Sequence, residues 1–397
     1  MKKIVIIILI FCCTLKLTKA QEIIYNEDAK LLTTFSFIQL TGGCIILKAR
    51  LDDFKDTLNF VFDTGSGGIS LDSATVDYLK LTKTKSDKVI RGIAGIKKTE
   101  YALKHSLHLP NLVVDSLDFH INNYDILTSS YGMKIDGIIG YSFLRKFIVN
   151  VNYDKNEMKI YNPGYIKYPK NGYLMKPKFS PLPIDNHDLK DEVKINTNLI
   201  FDTGAGLNLL LSEEFIKDNA LLKKNKHFYP MKTEGLGGQK LMNLTTVKEL
   251  SVGKYKFKHV PTMIFEDDFN ITNYPLMGGI IGNDILRRFN LIINYPDFAI
   301  HLQPNTHFLE PFDYSYTGLS THLIDKKVTV IDVIENSPAQ KAGIKEGDQI
   351  FALDNVITST LQAYKTALQN SNNKIKIIVL RDGKPLDITL FVQNIKR

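Results

Sequence analysis

Two stretches that repeat one another decide the fold of this chain: LNFVFDTGSGGISL at residues 58–71 and TNLIFDTGAGLNLLL at residues 197–211. Each is an apolar segment, typical of a buried strand, that runs into Asp-Thr-Gly. The repeat places Asp63 and Asp202 at equivalent positions. A single Asp-Thr-Gly is a weak signal, but a second copy within matched flanks indicates a duplicated domain.

A second pair of segments follows each Asp-Thr-Gly at nearly the same interval, IDGIIGYSFLRKFIVNVNYD from residue 135 and MGGIIGNDILRRFNLIINYPD from residue 277. Short helices are predicted just after each Ile-Ile-Gly, at residues 142–147 and 284–289, and the remainder is rich in β-branched and aromatic runs. We therefore predict a mainly β chain with two homologous lobes and few helices.

Between these landmarks, each half also carries a glycine-rich stretch, at residues 92–95 and 235–238. Alternating residues flank both stretches, which predicts a hairpin whose tip needs glycine for a positive φ. An ordinary glycine turn is the alternative interpretation of either stretch alone.

Composition excludes several classes of site. The chain has 397 residues and a formal net charge of +8, but its lysines and arginines are scattered rather than clustered among aromatics, so we predict no nucleic-acid site. The histidines and cysteines show no HExxH or paired-cysteine spacing, so we predict no metal and no cofactor.

The first residues have the pattern of an export signal. Two lysines precede an apolar run at residues 4–13 that is short for a membrane span, and the segment ends at Ala20. We predict a signal peptide at residues 1–20 and a secreted protein. An uncleaved anchor is the alternative, which Lys16 and Lys19 disfavour. Cleavage would leave Cys44 as the only cysteine, so no disulfide could form within the chain.

The paired aspartates predict acid–base chemistry. If the two halves pack about a pseudo-twofold axis, Asp63 and Asp202 face each other at the seam. Two carboxylates about 3 Å apart cannot both ionise, so they share one proton. One carboxylate can then take a proton from water while the other donates a proton to a peptide carbonyl.

The residues after each aspartate are expected to support this pair. The hydroxyls of Thr64 and Thr203, bonded across the seam, would hold the loops rigid. Gly65 and Gly204 would let backbone N–H groups approach the carboxylates.

The two loops differ in the next residue, Ser66 in the first and Ala205 in the second. A hydroxyl beside Asp63 would favour its ionised form, which predicts that Asp202 carries the shared proton. Ser66 therefore joins the residues predicted to support catalysis.

Residues 30–303 resemble the pepsin and retropepsin clan of aspartic peptidases in its bilobed, single-chain form. The resemblance rests on the two Asp-Thr-Gly loops and on Ile138-Ile139-Gly140 and Ile280-Ile281-Gly282, which match the apolar-apolar-Gly landmark of the family. It implies two retropepsin-like β-barrel lobes in an acid-protease fold. It also implies hydrolysis of a polypeptide bound between the lobes, with Asp63 and Asp202 as catalytic residues and no second chain needed to complete the site.

The twin glycine stretches resemble retropepsin flaps, which cover the substrate. No tyrosine stands at either tip, unlike the single flap of pepsin-like enzymes, so a fused retropepsin dimer is the better analogy. The flap residues implied by the resemblance are Gly92, Ile93, Ala94, Gly95, Gly235, Leu236, Gly237 and Gly238.

From about residue 314 the sequence changes to strands, a short helix and a longer helix predicted at residues 358–369. NSPAQKAGIKEGDQIFALDN at residues 336–355 resembles the PDZ domains of bacterial peptidases. Such domains add a peptide strand to a sheet edge and bind its terminal carboxylate on backbone N–H groups. The resemblance implies peptide binding at Gly318 and Leu319, although Thr317 stands where an apolar residue is common. The alternative is a PDZ fold that only packs on the peptidase.

We thus predict a signal peptide at residues 1–20, lobe 1 at 21–165, lobe 2 at 166–305 and an α+β PDZ-like domain at 314–397. The predicted function is that of a secreted bacterial aspartic endopeptidase, located in the periplasm, at the cell surface or outside the cell. A catalytically silent scaffold that binds peptides through its PDZ domain is the alternative. A two-carboxylate glycosidase is a third class, but it needs the carboxylates at least about 5 Å apart.

Overall fold

A computed structural model describes residues 27–92, 95–179, 181–235, 238–354, 357, 360–369 and 372–395. Within them, the predicted architecture is confirmed: the chain is mainly β, with two closed six-stranded barrels and a smaller α+β unit at the C-terminus. The predicted signal peptide lies outside the described residues. No described helix is long and apolar enough to cross a membrane.

The first lobe is built from strands β1 to β11 and helices α1 to α3. Their bounds are β1 (Leu31–Ser36), β2 (Ile38–Gln39), β3 (Ile45–Leu51), β4 (Leu58–Phe62), β5 (Ile69–Asp72), α1 (Ser73–Tyr78), β6 (Thr84–Gly92), β7 (Gly95–Leu109), β8 (Leu112–Asn122), α2 (Asp125–Tyr131), β9 (Gly137–Ile139), α3 (Tyr141–Leu144), β10 (Ile148–Asn152) and β11 (Glu157–Tyr161). The barrel runs in the order β3-β4-β9-β5-β8-β7 and closes where β7 pairs with β3.

The second lobe repeats this plan. Its elements are β12 (Tyr173–Met175), β13 (Lys178–Phe179), β14 (Pro183–Lys190), β15 (Lys194–Phe201), β16 (Leu209–Ser212), α4 (Glu213–Asp218), β17 (Tyr229–Gly235), β18 (Gly238–Val252), β19 (Tyr255–Phe265), β20 (Gly279–Ile281), α5 (Asn283–Leu286), β21 (Phe289–Asn294) and β22 (Ala299–Pro304). The barrel order is β14-β15-β20-β16-β19-β18, closed by the pairing of β14 with β18.

The apolar run before each Asp-Thr-Gly is the central strand of its barrel. In β4, Phe60 and Phe62 point into the main barrel core, while Val61 packs on the other face with Ile46 and Ile138. A strand buried on both faces reads as a continuous apolar run, which explains the sequence before Asp63. The strand β15 has the same role in lobe 2, where Phe201 is fully buried.

The Ile-Ile-Gly segments form the strands β9 and β20, which run parallel to β4 and β15. On its other side β9 pairs with β5, and this contact explains Gly137, since a Cβ there would lie 2.2 Å from the carbonyl oxygen of Ser70. The predicted helices that follow are shorter than expected, Tyr141–Leu144 and Asn283–Leu286, because the residues after them enter β10 and β21.

A six-stranded sheet joins the two lobes. Its order is β1-β11-β10-β21-β22-β12, and its centre is the antiparallel pair of β10 from lobe 1 and β21 from lobe 2. Because equivalent strands of the two lobes meet there, the chain has the pseudo-twofold arrangement expected of a duplication.

The C-terminal unit has its own core and sheet. Its elements are β23 (Ser315–Tyr316), β24 (Leu319–Ile324), β25 (Lys327–Val333), α6 (Pro338–Lys341), β26 (Gln349–Leu353), α7 (Leu361–Ala367), β27 (Lys374–Arg381), β28 (Lys384–Phe391) and β29 (Gln393–Asn394). The sheet order is β24-β25-β26-β27-β28, so β24 is an edge strand. The predicted long helix is α7, shorter at both ends than residues 358–369.

Candidate active site

The two aspartates stand at the ends of the central barrel strands. The backbone N–H of Asp63 donates to the carbonyl of Ile139 at 2.9 Å, and that of Asp202 donates to Ile281 at 3.0 Å. Each aspartate is therefore held by the neighbouring Ile-Ile-Gly strand of its own barrel. This is the physical reason why the two sequence landmarks occur at a matched interval.

The two threonines cross the seam between the lobes, as predicted. The hydroxyl of Thr64 donates to the carbonyl of Phe201 at 2.6 Å and accepts from the N–H of Thr203 at 3.0 Å. The hydroxyl of Thr203 donates to Phe62 at 3.1 Å and accepts from the N–H of Thr64 at 3.1 Å. Both threonines are fully buried, so these four reciprocal bonds fix the loops in a water-free seam.

The glycines bring the two carboxyl groups together. A Cβ at Gly65 would lie 2.3 Å from Oδ2 of Asp202, and a Cβ at Gly204 would lie 2.4 Å from Cγ of Asp63. The N–H of Gly65 donates to Oδ1 of Asp63 at 2.7 Å, and the N–H of Gly204 donates to Oδ1 of Asp202 at 2.8 Å. Each loop therefore orients its own carboxyl and leaves room for the carboxyl of the other lobe.

The carboxyl pair is arranged to share a proton. Burial, the charge of Asp202 and a hydrogen bond to Asp202 raise the pKa of Asp63 well above its ordinary value. Burial also raises the pKa of Asp202, but hydrogen bonds from Asp63 and from the N–H groups of Gly204 and Ala205 oppose that rise. Both carboxyl groups therefore have a raised pKa, as expected of a buried pair that holds one proton between them.

The prediction that Ser66 leaves the shared proton on Asp202 stays a prediction. The group of Ser66 that stabilises an ionised Asp63 is its backbone N–H, which the equivalent Ala205 can supply without a hydroxyl. The N–H of Ala205 donates to Oδ1 of Asp202 at 3.1 Å. Both loops thus supply a backbone N–H to their own carboxyl at this position.

Two further side chains support the Asp-Thr-Gly loops. The thiol of Cys44 donates to the carbonyl of Gly204 at 3.3 Å, and burial raises the pKa of Cys44 to about 12, so the thiol stays neutral. The hydroxyl of Tyr295 donates to the carbonyl of Thr64 at 3.4 Å. Sequence reasoning missed both roles, since neither residue lies near an Asp-Thr-Gly motif.

A cleft of about 1460 Å³ opens above the aspartates. Gly65, Ser66 and Gly204 line it with the two carboxyl groups, whereas Thr64 and Thr203 lie beneath. Its wall also holds Tyr124, whose hydroxyl lies 2.7 Å from Oγ of Ser70 and which sequence reasoning missed. The cleft size suits a ligand larger than a single residue.

Both glycine stretches form hairpins over this cleft. The strands β6 and β7 pair up to Gly92 and Gly95, and β17 and β18 pair up to Gly235 and Gly238. Gly92 and Gly235 line the cleft. The tips predicted at Ile93, Ala94, Leu236 and Gly237 lie outside the described residues. We call the β6–β7 hairpin flap 1 and the β17–β18 hairpin flap 2.

The predicted PDZ residues lie away from the cleft. Gly318 has a φ of 74° and its carbonyl accepts from the N–H of Ile334 at 2.9 Å. The N–H of Leu319, one of the groups predicted to hold a peptide carboxylate, donates to the hydroxyl of Thr317 at 3.3 Å. The threonine that departs from the usual PDZ pattern therefore satisfies an N–H that a ligand would use.

The C-terminal unit reaches the cleft through helix α7 instead. Gln362, Lys365 and Thr366 line the same cleft as the aspartates, together with Gln369 just beyond the helix. No local pattern could have predicted this, because it depends on how the unit docks on the two barrels. Within the described residues, no group of three or more histidines, cysteines and carboxylates could hold a metal ion.

Comparison with known proteins agrees with this architecture. Residues 47–143 and 190–285 match the family described as aspartyl protease, one segment in each barrel, and residues 315–392 match the family described as PDZ domain. Over 67 residues the chain is 37% identical to a probable periplasmic serine endoprotease DegP-like of Chlamydia pneumoniae. That stretch is 16% of this chain and 14% of the relative. The two family resemblances predicted from sequence are confirmed.

Proposed function

We propose that this chain, a pair of aspartyl protease domains followed by a PDZ domain, is an aspartic endopeptidase that cleaves polypeptides between Asp63 and Asp202. One observation carries the proposal: two Asp-Thr-Gly loops are joined by reciprocal threonine bonds, with each glycine against the carboxyl of the other loop. This arrangement supports one shared acid–base pair.

The proposed reaction needs no covalent intermediate. The ionised carboxyl of the Asp63–Asp202 pair takes a proton from a water molecule, whose oxygen attacks the carbonyl carbon of the substrate, while the protonated carboxyl donates its proton to the carbonyl oxygen. The C–N bond of the resulting tetrahedral diol then breaks as one carboxyl gives its proton to the leaving nitrogen. The other carboxyl takes the proton of a diol hydroxyl, whose oxygen becomes the carbonyl oxygen of the new acid, so the pair ends with one shared proton again. Preorganised carboxyl groups in a buried seam supply the electrostatic part of the acceleration.

The relative named as a serine endoprotease raises a second mechanism. The chain does hold a Ser-His-Glu arrangement: Oγ of Ser129 lies 3.0 Å from Nδ1 of His322, and Nε2 of His322 lies 3.1 Å from Oε1 of Glu234. However, Ser129 belongs to helix α2, its hydroxyl donates to the carbonyl of Ile126, and it does not line the cleft. The matched 67 residues are also fewer than either aspartyl protease segment, so the aspartic mechanism is better supported.

The proposed location of the chain and the proposed ligand of its PDZ domain also rest on the comparison with known proteins. A periplasmic relative and the N-terminal sequence support export to the periplasm or beyond. The PDZ domain supports recognition of a peptide or protein terminus, with Gly318 and Leu319 as its predicted contacts. The domain bounds given above and the substrate role of the flaps remain predictions.

Class-specific inhibitors test the mechanism directly. With a diverse peptide library as substrate, we expect cleavage to be blocked by pepstatin, whose hydroxyl mimics the tetrahedral diol, and to be unaffected by diisopropyl fluorophosphate, which modifies nucleophilic serines. The Ser129→Ala variant is the matched control and should keep the kcat of the wild type, although it removes one contact of His322. Inactivation by the fluorophosphate together with loss of activity in Ser129→Ala would establish the serine mechanism instead.

The pH dependence of activity follows from the raised pKa values. The active pair holds one proton, so activity falls at low pH when the second carboxyl is protonated and at high pH when the shared proton is lost. Because burial raises the pKa of both Asp63 and Asp202, the alkaline limb of kcat/KM should lie above the ordinary aspartate range near pH 4. A profile from pH 3 to 8 measures it, and activity that rises continuously to pH 8 would contradict a shared proton.

A further inference from the structure

The outer strand of flap 2 is bound to the PDZ domain by three polar contacts. Nζ of Lys232 lies 2.5 Å from Oδ1 of Asp332, and Nε2 of His322 lies 3.1 Å from Oε1 of Glu234. The hydroxyl of Tyr316 donates to the carbonyl of Pro230 at 2.8 Å. Every second residue of β17 from Pro230 to Glu234 is therefore tied to the same neighbouring domain.

These contacts are shielded from water to different degrees: the side chains of His322 and Glu234 are largely buried, whereas that of Lys232 is 37% exposed. His322 is 7% exposed, and the rings of Tyr229 in flap 2 and Tyr316 lie 5.1 Å apart between centroids. An ion pair that is partly buried is weakened less by solvent and salt than one on an open surface. The contacts are thus suited to restrain the movement of flap 2.

The PDZ domain is itself anchored to lobe 1, next to the catalytic loops. Gln362 accepts a hydrogen bond from the N–H of Thr41 at 2.9 Å and donates to the carbonyl of Tyr131 at 3.0 Å. Nζ of Lys365 donates to the carbonyl of Ser130 at 2.7 Å. Gly132 allows this approach, because a Cβ there would lie 2.7 Å from Cβ of Leu361. The domain therefore connects flap 2 rigidly to helix α2 of the opposite lobe.

Flap 1 has a different environment. Its strand β6 is largely exposed, and the polar contacts given by its described residues stay within lobe 1, such as the pair of Lys98 and Asp87 at 3.8 Å. Solvent-exposed ion pairs of this kind contribute little to stability. The two hairpins are thus related by the duplication but unequal in how they are held.

On the basis of the proposed peptidase function, we propose that the PDZ domain fixes flap 2 as a wall of the substrate cleft, whereas the described strands of flap 1 are held by lobe 1 alone. Asp332 and His322 are positioning residues in this arrangement: they act through Lys232 and Glu234 and do not touch the reacting atoms. Helix α7 of the same domain forms a further part of the wall of this cleft.

Hydrogen exchange of the full chain tests this proposal independently of catalysis. In Asp332→Lys, whose new charge repels Lys232, we expect amides of residues 229–235 to exchange about tenfold faster than in the wild type, with those of residues 84–92 unchanged. The double variant Lys232→Asp with Asp332→Lys recreates the pair in reverse and should restore slow exchange. Asp387→Lys, at an exposed position of the same domain, carries the same charge change and should leave both flaps as in the wild type.

Kinetics supply the second readout. We expect Asp332→Lys and His322→Ala to raise KM about fivefold or more with a smaller change in kcat, because a loosened wall weakens substrate binding more than it alters the aspartates. The swapped pair should recover KM. The proposal is overturned if residues 229–235 exchange at the wild-type rate in both Asp332→Lys and His322→Ala. It is also overturned if the double variant Lys232→Asp with Asp332→Lys exchanges as fast as Asp332→Lys alone. If no peptide is cleaved at all, the peptidase function fails while the exchange result still decides how flap 2 is held.

Discussion

Replacing either active-site carboxyl by its amide, Asp63→Asn or Asp202→Asn, is expected to reduce kcat/KM by at least about 10³-fold. An amide can neither take a proton from water nor carry the shared proton, and general acid–base catalysis alone contributes about 10²–10⁴-fold. Because the two groups act as one unit, the double variant should be scarcely less active than either single variant. The measurement is steady-state cleavage of a peptide selected from the library.

The thermal stability of the Asp63→Asn variant is the control for this result, and the direction of its change follows from the pKa of Asp63. Asp63 has a raised pKa in the folded state. Its contribution to the free energy of unfolding is therefore fully present below the unfolded pKa and is lost as the pH rises through the folded pKa. Asparagine does not titrate. At pH 7 the Asp63→Asn variant should therefore melt at or above the temperature of the wild type, and this advantage should vanish near pH 3.

The residual activity of these variants would distinguish an aspartic peptidase from a chain with another function. If Asp63→Asn and Asp202→Asn both melt normally and still cleave peptides, the two aspartates are not the catalytic pair. If the wild type also cleaves nothing across the pH range, peptide binding by the PDZ domain becomes the leading function of the chain.

The sequence was sufficient to predict the parts of the site that are local and repeated. The Asp-Thr-Gly loops and the Ile-Ile-Gly strands are short motifs whose spacing is set by the parallel pairing of β4 with β9 and of β15 with β20. The bonds between Thr64 and Thr203 follow once the two copies are placed about a twofold axis. Because the chain is duplicated, the residues that meet at the seam could be predicted by comparing the two halves of the sequence.

The sequence was not sufficient where one domain meets another. Lys365 enters the cleft, and Asp332 reaches Lys232, only because the PDZ domain docks across both lobes. Nothing in the local pattern of α7 or β25 distinguishes a docked face from a solvated one. The location of the shared proton stays a prediction for a related reason: it depends on the backbone N–H groups that each carboxyl accepts in the folded loops, as well as on Ser66.

The seam between the two lobes should be the most sensitive point of the fold outside the barrel cores. In Thr203→Val the side chain keeps its shape but loses both bonds of its hydroxyl, one from the N–H of Thr64 and one to the carbonyl of Phe62. A buried polar group left without its partner costs about 1–3 kcal/mol. We therefore expect a loss of about 2–5 kcal/mol in the free energy of unfolding, measured by urea denaturation.

Thr203→Ser is the matched control, because it keeps the hydroxyl and removes only a methyl group. It should lose about 1 kcal/mol and retain most of the activity, whereas Thr203→Val should also lose activity as the two carboxyl groups drift apart. Since the hydroxyls of Thr64 and Thr203 bond each other's loop, Thr64→Val should behave in the same way, and combining the two valines should cost less than the sum of the single losses. If Thr203→Val matched Thr203→Ser in both stability and rate, the reciprocal bonds would not be what holds the two aspartates in register.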